Sequence, residues 1–129
     1  NATLSLINCI LTDASGVTAA LGGLELAPNA FALGVRSDDL VENGQITADF
    51  TFDFALNNTS DTISLICDGQ SIDVIAYSDP TNPAQSFQRS GDDLSGASSE
   101  MSRWCGATES YLMVPMHLGS PGRANEVCP

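Results

Sequence analysis

The chain contains no lysine and a single histidine, His117. Its four basic residues are all arginine and stand against sixteen acidic residues, which leaves a formal net charge of −12. Proteins that bind nucleic acid neutralise phosphates with lysine and arginine, so we expect no nucleic-acid partner. With one histidine and no Gly-x-Ser-x-Gly elbow, the chain also lacks the residues for nucleophilic catalysis, and we predict that it is not an enzyme.

Long apolar runs are missing as well. No stretch approaches the roughly 18 apolar residues of a membrane-spanning helix, so we expect no membrane insertion. No segment keeps a helical period of 3.6; short apolar runs alternate instead with turns rich in Gly, Pro, Asn and Asp. We predict an all-β protein with a single domain over residues 1–129, in which the Gly/Pro-rich tail 106–129 is irregular and packs on the rest.

Cysteine is scarce, but its number and spacing are informative. The four cysteines lie at positions 9, 67, 105 and 128, without the closely spaced pairs of a zinc site. An even number suggests two disulfides and an oxidising compartment, and we predict an extracellular or cell-surface protein. Four cysteines allow three pairings. Cys9 and Cys67 both lie in apolar segments read as core strands, which favours Cys9–Cys67 together with Cys105–Cys128.

The firmest structural prediction is a β-hairpin over Asp61–Tyr77 (DTISLICDGQSIDVIAY). Two apolar runs flank Asp68-Gly69, a dipeptide suited to the type I′ turn because both central residues need a positive φ. This turn sets Cys67 opposite Gln70, Leu65 opposite Ile72, and Ile63 opposite Val74. These side chains should share a buried face with Ala76, while Thr62, Ser64, Ser71 and Asp73 face water and Ile66 and Ile75 are apolar exceptions.

Two other segments read as strands. Leu4–Thr12 is apolar on both faces, which predicts a strand buried from both sides. Ile46–Phe54 alternates between an apolar face, to which Phe50, Phe52 and Phe54 belong, and a polar face that carries Asp49 and Asp53. Shorter strands are expected at Val17–Leu21, Leu24–Ala27, Ala30–Arg36 and Ala84–Arg89.

Candidate metal ligands lie in the acidic loop Ser37–Gly44. Asp38, Asp39 and Glu42 could supply carboxylate oxygens to Ca²⁺, although their spacing is not that of an EF-hand. Asp92 and Asp93 form a second acidic pair. The alternative is solvated loop charge. We expect no other cofactor and no small-molecule ligand.

The order of these features resembles the lamin-tail domain, an immunoglobulin-like β-sandwich found in many secreted bacterial proteins. The resemblance rests on four pieces that span nearly the whole chain. They are Leu4–Asp13 (LSLINCILTD), Leu24–Arg36 (LELAPNAFALGVR), Leu56–Tyr77 with its Asn-Asn-Thr-Ser-Asp start, and Trp104-Cys105 followed by Gly119–Asn125 (GSPGRAN). The resemblance implies an immunoglobulin-like sandwich with a long irregular C-terminal region.

Members of this family usually begin with one or two strands that precede the segment equivalent to Leu4–Leu11. The resemblance therefore implies a strand here with an unpaired neighbour, and Leu4, Leu6, Ile7 and Ile10 are the candidate residues that accept a missing strand. Either the chain is a piece of a longer protein, or another chain fills the gap.

Three functions remain open on these grounds. The first is a non-catalytic structural, assembly or adhesion module of a bacterial surface or secreted protein, with another protein or a second copy as partner. The second is an accessory domain of a larger secreted hydrolase such as a nuclease, since lamin-tail domains are often appended to such enzymes. The third and weakest is a calcium-dependent binder of a surface or a carbohydrate.

Overall fold

A computed structural model describes residues 2–78, 84–92, 98–111 and 117–129 of the chain. These residues form short strands and one single-turn 3₁₀ helix, Met101–Arg103, so the fold is all-β as predicted. The strands are β1 Leu4–Ser5, β2 Cys9–Thr12, β3 Thr18–Ala20, β4 Glu25–Leu26, β5 Gly34–Val35, β6 Phe50–Thr51, β7 Ser60–Cys67, β8 Gln70–Ser78, β9 Phe87–Arg89 and β10 Trp104–Gly106.

The largest sheet has four antiparallel strands in the order β3-β2-β7-β8. Three two-stranded sheets accompany it: antiparallel β1-β4 and β9-β10, and parallel β5-β6. Antiparallel neighbours joined by tight turns account for β2-β3 and β7-β8, which need only short connections. The four-stranded sheet contributes Cys9, Leu11, Leu65 and Cys67 to the hydrophobic core.

The hairpin β7-β8 turns at Asp68 and Gly69, whose φ angles are 50° and 76°. Both φ angles are positive, as the predicted type I′ turn requires. Cys67 pairs with Gln70 as expected. The next pair, Ile66–Ser71, also follows the predicted register, but beyond it the prediction is wrong. A β-bulge at Ile72 shifts the pairing by one residue, so that Leu65 lies opposite Asp73 and Ile63 opposite Ile75. An extra residue on one strand reverses the alternation of everything beyond it.

Beyond the bulge, the side chains of β8 predicted to point inward point outward, and those predicted to point outward point inward. The half-buried side chains of this strand are Asp73, Ile75 and Tyr77, which the sequence pattern had placed in part on the wet face. Ile72 and Val74, predicted to be buried, are 58% and 38% exposed.

The predicted strand Leu4–Thr12 is interrupted. A turn closes with a hydrogen bond from the Cys9 amide to the Leu6 carbonyl (2.9 Å), and the chain changes partner there. Before the turn, β1 pairs with β4; after it, β2 enters the four-stranded sheet. Leu6 points into the core at 7% exposure, whereas Ile7 at the turn is 70% exposed.

The alternation predicted for Ile46–Phe54 is present, although only Phe50–Thr51 is a regular strand. Phe54 is buried and Phe50 and Phe52 are half-buried, while Asp49 and Asp53 are exposed. Phe52 and Phe54 stack with ring centroids 4.7 Å apart.

Both predicted disulfides are present. Cys9–Cys67 joins residues directly opposite each other on β2 and β7, and we call it the core disulfide. Its Cys9 belongs to the small buried cluster with Leu6 and Leu21. Cys105–Cys128, the tail disulfide, ties β10 to the C-terminal segment. A core this small stabilises the fold only modestly, so the cross-links contribute a large share.

The C-terminal segment 119–129 has no regular strand, as predicted, but it is held in place along β9 and the residues after it. The Asn125 side-chain amide donates to the Arg89 carbonyl (2.9 Å), and the Gly91 amide donates to the Glu126 carbonyl (3.0 Å). The Cys128 amide donates to the Ser90 hydroxyl (3.0 Å). Phe87 and Trp104 stack between the two short strands, with ring centroids 5.2 Å apart.

Candidate functional site

The four-stranded sheet has two chemically different faces. Residues that pair directly across antiparallel strands point to the same side, so the register assigns each side chain to a face. The inner face contacts the core cluster through Cys9, Leu11, Leu65 and Cys67. The rest of this face follows from the pairs Leu11–Ala19, Asp61–Tyr77, Ile63–Ile75 and Leu65–Asp73.

The outer face carries no charged residue. Its side chains are small, hydroxylated or aliphatic, in a chain whose formal net charge is −12. The members are Ile10 and Thr12 on β2, Thr18 and Ala20 on β3, Ser60, Thr62, Ser64 and Ile66 on β7, and Ser71, Val74, Ala76 and Ser78 on β8. We refer to these twelve residues as the outer face. Charge normally marks the solvent side of a sheet, so its absence here distinguishes this surface.

The two carboxylates of this sheet belong instead to the inner face. Asp61 is 7% exposed and accepts hydrogen bonds from the backbone amides of Thr62 (2.8 Å), Asn57 (3.0 Å) and Ala14 (3.2 Å). The bonds from the backbone amides of Asn57 and Thr62 hold the pKa of Asp61 below its usual value of 3.8. Asp61 thus fixes the turn after β2 and the loop before β7 to the start of the hairpin.

Tyr77 lies opposite Asp61 and donates its hydroxyl to the Asn57 carbonyl (2.7 Å). Burial, and secondly the charge of Asp61, raise the pKa of Tyr77. Asp73 is held differently: the hydroxyl of the buried Ser98 donates to its carboxylate, and the Val74 amide donates to it at 2.9 Å. Both inward carboxylates are therefore engaged in structural hydrogen bonds.

Strand β8 lies at the end of the strand order, and within the described residues β7 is its one partner strand. Its nine residues make it the longest strand described, and the outward-facing side chains next to the edge are uncharged. Edge strands usually avoid pairing with other chains by being short, charged or proline-containing. The described part of β8 is long, has no proline and presents no charge outward, although it carries the bulge at Ile72 and the inward-pointing Asp73.

The sequence-based candidates for a strand acceptor, Leu4, Leu6, Ile7 and Ile10, lie elsewhere in the fold. Ile10 pairs with Ala20 on one side and Ile66 on the other, so β2 has two neighbours. Leu4 pairs with Leu26, Leu6 is buried in the core, and Ile7 lies in the turn. The apolar character of both faces of this segment reflects a central strand and a core turn. Of the two edge strands of the described sheet, β3 and β8, β8 is the longer, and its bulge is not readable from alternation.

The acidic loop is organised by its own hydrogen bonds. The Asp39 carboxylate accepts from the Val41 amide (2.8 Å), and the Glu42 carboxylate accepts from the Ser37 hydroxyl (2.8 Å). Among the described residues, no three His, Cys, Asp or Glu side chains are grouped so as to hold a metal ion, so Asp38, Asp39 and Glu42 do not form such a cluster. Asp92 accepts from the Ser90 hydroxyl (2.5 Å), and Asp93 lies outside the described residues.

His117, the chain's single histidine, is exposed, and its Nδ1 lies 3.3 Å from the Tyr111 hydroxyl. No helix among the described residues is long and apolar enough to cross a membrane. The two disulfides are compatible with an oxidising environment. Comparisons with protein-family models, curated proteins and solved structures found no match to this chain.

Proposed function

We propose that this protein is a non-catalytic extracellular assembly module, an immunoglobulin-like sandwich of the lamin-tail type whose copies associate through the outer face and the β8 edge. The observation that carries the proposal is the lack of charge on the outer face in a chain with a formal net charge of −12. The proposal keeps strand addition as the mode of association but moves it from Leu4–Leu11 to β8.

Electrostatics favours this surface over the others. Two copies with the same large negative charge repel each other wherever carboxylates face one another. At the outer face they can approach without bringing formal charges together. The inward orientation of Asp61 and Asp73 supports the same view, because it removes from this surface the two acids of the hairpin strands; Asp68 lies at the turn.

The shape of the surface also suits a second sheet or strand. Small and β-branched side chains give a flat face, and packed sheets lie about 10 Å apart when such faces meet. At the edge, an antiparallel pair of β8 strands related by a twofold axis through Val74 would set Ile72 near Ala76 of the other copy. Such an arrangement uses the same patch on both copies, as twofold interfaces do.

The test is sedimentation velocity on purified protein up to about 1 mM, the range in which weak dimers are detected. Measurements at ~0.02 M and ~0.5 M NaCl bracket Debye lengths of about 20 Å and about 4 Å. We expect reversible dimers at the higher salt, where repulsion between the acidic bodies is screened. A monomer under both conditions would contradict the proposal and favour an accessory domain.

Two substitutions at one position separate apolar packing from general electrostatics. Val74→Glu and Val74→Lys should both abolish association, because either charge must be desolvated in the interface. If overall charge alone governed association, the lysine variant should associate more strongly than the wild type. Val41, 84% exposed on the acidic loop, provides the matched controls Val41→Glu and Val41→Lys, which should leave the dimer intact.

A further inference from the structure

A cleft of about 560 Å³ lies away from the outer face, between the loop that precedes β6, the segment before β5 and the C-terminal region. Its volume is within the range of small-molecule sites. Phe31 and Tyr111 contribute aromatic surface, and Asp49, Arg123, Gln45 and Thr47 contribute polar groups. Three segments distant in sequence thus converge on one concavity, which no linear motif would reveal.

Hydrogen bonds join two of the segments that line this cleft and order the loop beside them. The Leu33 amide donates to the Asp49 carboxylate (2.7 Å), and the Asp49 amide donates to the Leu33 carbonyl (2.7 Å). In the adjoining loop, the Asn43 side-chain amide donates to the carbonyls of Ser37 (3.0 Å) and Ile46 (2.9 Å). A preformed wall reduces the ordering cost that a ligand must overcome.

The opposite wall is fixed in a similar way. Arg123 donates to the Glu109 carboxylate (3.0 Å), and its amide closes a turn onto the Ser120 carbonyl (3.2 Å). A guanidinium has five N–H donors and a carboxylate about four acceptor positions, so Arg123 and Asp49 retain capacity beyond these contacts. The cleft therefore offers both donors and acceptors beside aromatic carbon.

We propose that this cleft binds a neutral saccharide unit. A pyranose ring presents C–H groups that pack on the electron-rich face of an aromatic ring, and hydroxyls that both donate and accept hydrogen bonds. The carboxylate of Asp49 and the guanidinium of Arg123 oppose each other in sign, so the cleft favours a ligand without formal charge. An anion would in addition approach a body with a formal net charge of −12.

This site is separate from the outer face, so it stands or falls independently of the assembly proposed above. The proposed saccharide site departs from the sequence-based expectation of no small-molecule ligand, because the residues that line it are far apart in the sequence. Phe31 is the most accessible of the aromatic contacts, at 47% exposure, and its removal should disturb the fold little.

The test is a titration of the whole chain, followed by amide chemical-shift changes in NMR spectra. The probes are the methyl glycosides of glucose, galactose, mannose and N-acetylglucosamine, with glucuronate and glucosamine as charged comparators. We expect saturable binding of at least one neutral glycoside, with shifts confined to residues around the cleft such as Gly44 and Gly122. The charged comparators should bind more weakly.

Variants locate the binding site. Phe31→Ala and Tyr111→Ala should each weaken binding about tenfold, equivalent to about 1.4 kcal/mol. Asp49→Asn should weaken it while leaving an oxygen that still accepts from the Leu33 amide. Val41→Ala lies outside the cleft and should bind as the wild type does. The proposal is overturned if no neutral glycoside binds saturably to the folded wild type, if charged sugars bind more tightly, or if Phe31→Ala and Tyr111→Ala leave binding unchanged.

Discussion

Two single substitutions, Ile72→Ala and Ile75→Ala, test the register of the β7-β8 hairpin. The bulged register leaves Ile72 58% exposed and turns Ile75 to the half-buried inner face. An unbulged hairpin, as alternation alone predicts, places Ile72 opposite Leu65 in the core and Ile75 on the wet face. The two registers thus rank the same two substitutions in opposite order.

The expected magnitudes follow from burial. Complete burial of an isoleucine side chain stabilises by roughly 1.5–3 kcal/mol, and less than half of that applies at Ile72, roughly 0.5–1 kcal/mol. Ile75→Ala should cost roughly 1.5–2.5 kcal/mol, near the lower end of measured core truncations because the site is half-buried. Loss of β propensity affects both variants alike, by up to about 1 kcal/mol, and so cancels in the comparison.

The assay is urea unfolding with both disulfides intact, in which an unchanged slope shows that the midpoint reports stability. Leu65→Ala and Ser64→Ala calibrate it, because both registers place Leu65 inward and Ser64 outward. The first should cost roughly 2–4 kcal/mol and the second little. A larger loss for Ile72→Ala than for Ile75→Ala would refute the bulged register, and with it the assignment of the outer face.

Three further predictions concern the interactions that hold the fold together. Because the pKa of Asp61 is lowered in the folded state, the stability that Asp61 contributes is present above about pH 4 and is lost as the pH falls through its folded pKa. Asp61→Asn should therefore be less stable than the wild type at neutral pH, and its free energy of unfolding should fall less steeply as the pH is lowered. An unchanged acid dependence would contradict this. Replacing each disulfide by two alanines should lower the free energy of unfolding by about 4.2 kcal/mol for the core disulfide and about 3.4 kcal/mol for the tail disulfide. These values follow from the chain-entropy model with sequence separations of 58 and 23. If equilibrium unfolding ranked the two variants the other way, chain entropy would not be the dominant effect. In Gly91→Ala the added Cβ would clash with the Asn125 carbonyl, so this variant should have a lower melting temperature and a tail disulfide that is reduced faster. The control is Gly22→Ala, whose Cβ would meet only the Ile7 carbonyl at 3.5 Å. It should change neither the melting temperature nor the rate of reduction.

Predictions that depended on local chemistry were confirmed. The Asp68-Gly69 turn requires only a positive φ at two successive residues, and the dipeptide favours it wherever it occurs. The alternation of Ile46–Phe54 was also correct in burial, because neighbouring side chains of an extended segment point to opposite sides even where few ladder bonds form. The cysteine pairing followed from placing Cys9 and Cys67 in core strands.

Two predictions about individual strands were wrong: the uninterrupted strand Leu4–Thr12 and the register of β8 from Ile72 onward. Leu4–Thr12 is apolar on both sides because β2 lies between two strands and Leu6 turns into the core. The bulge at Ile72 was equally unreadable, since the sequence from Gln70 to Ser78 satisfies either register by its own pattern. The candidate site changed with them, from the N-terminal segment to β8.

By itself, the sequence determined the strand-forming character of the chain, its hairpin turn and its acidity, because each depends on residue type or on close neighbours in the chain. Only the tertiary structure decided where the charge is absent and where the aromatic cleft lies. A face of a sheet is assembled from several strands, and a one-residue shift in any of them exchanges inward and outward side chains. Ile72 and Asp73 exchange their roles in this way, and the outer face exists as an uncharged surface because of that shift.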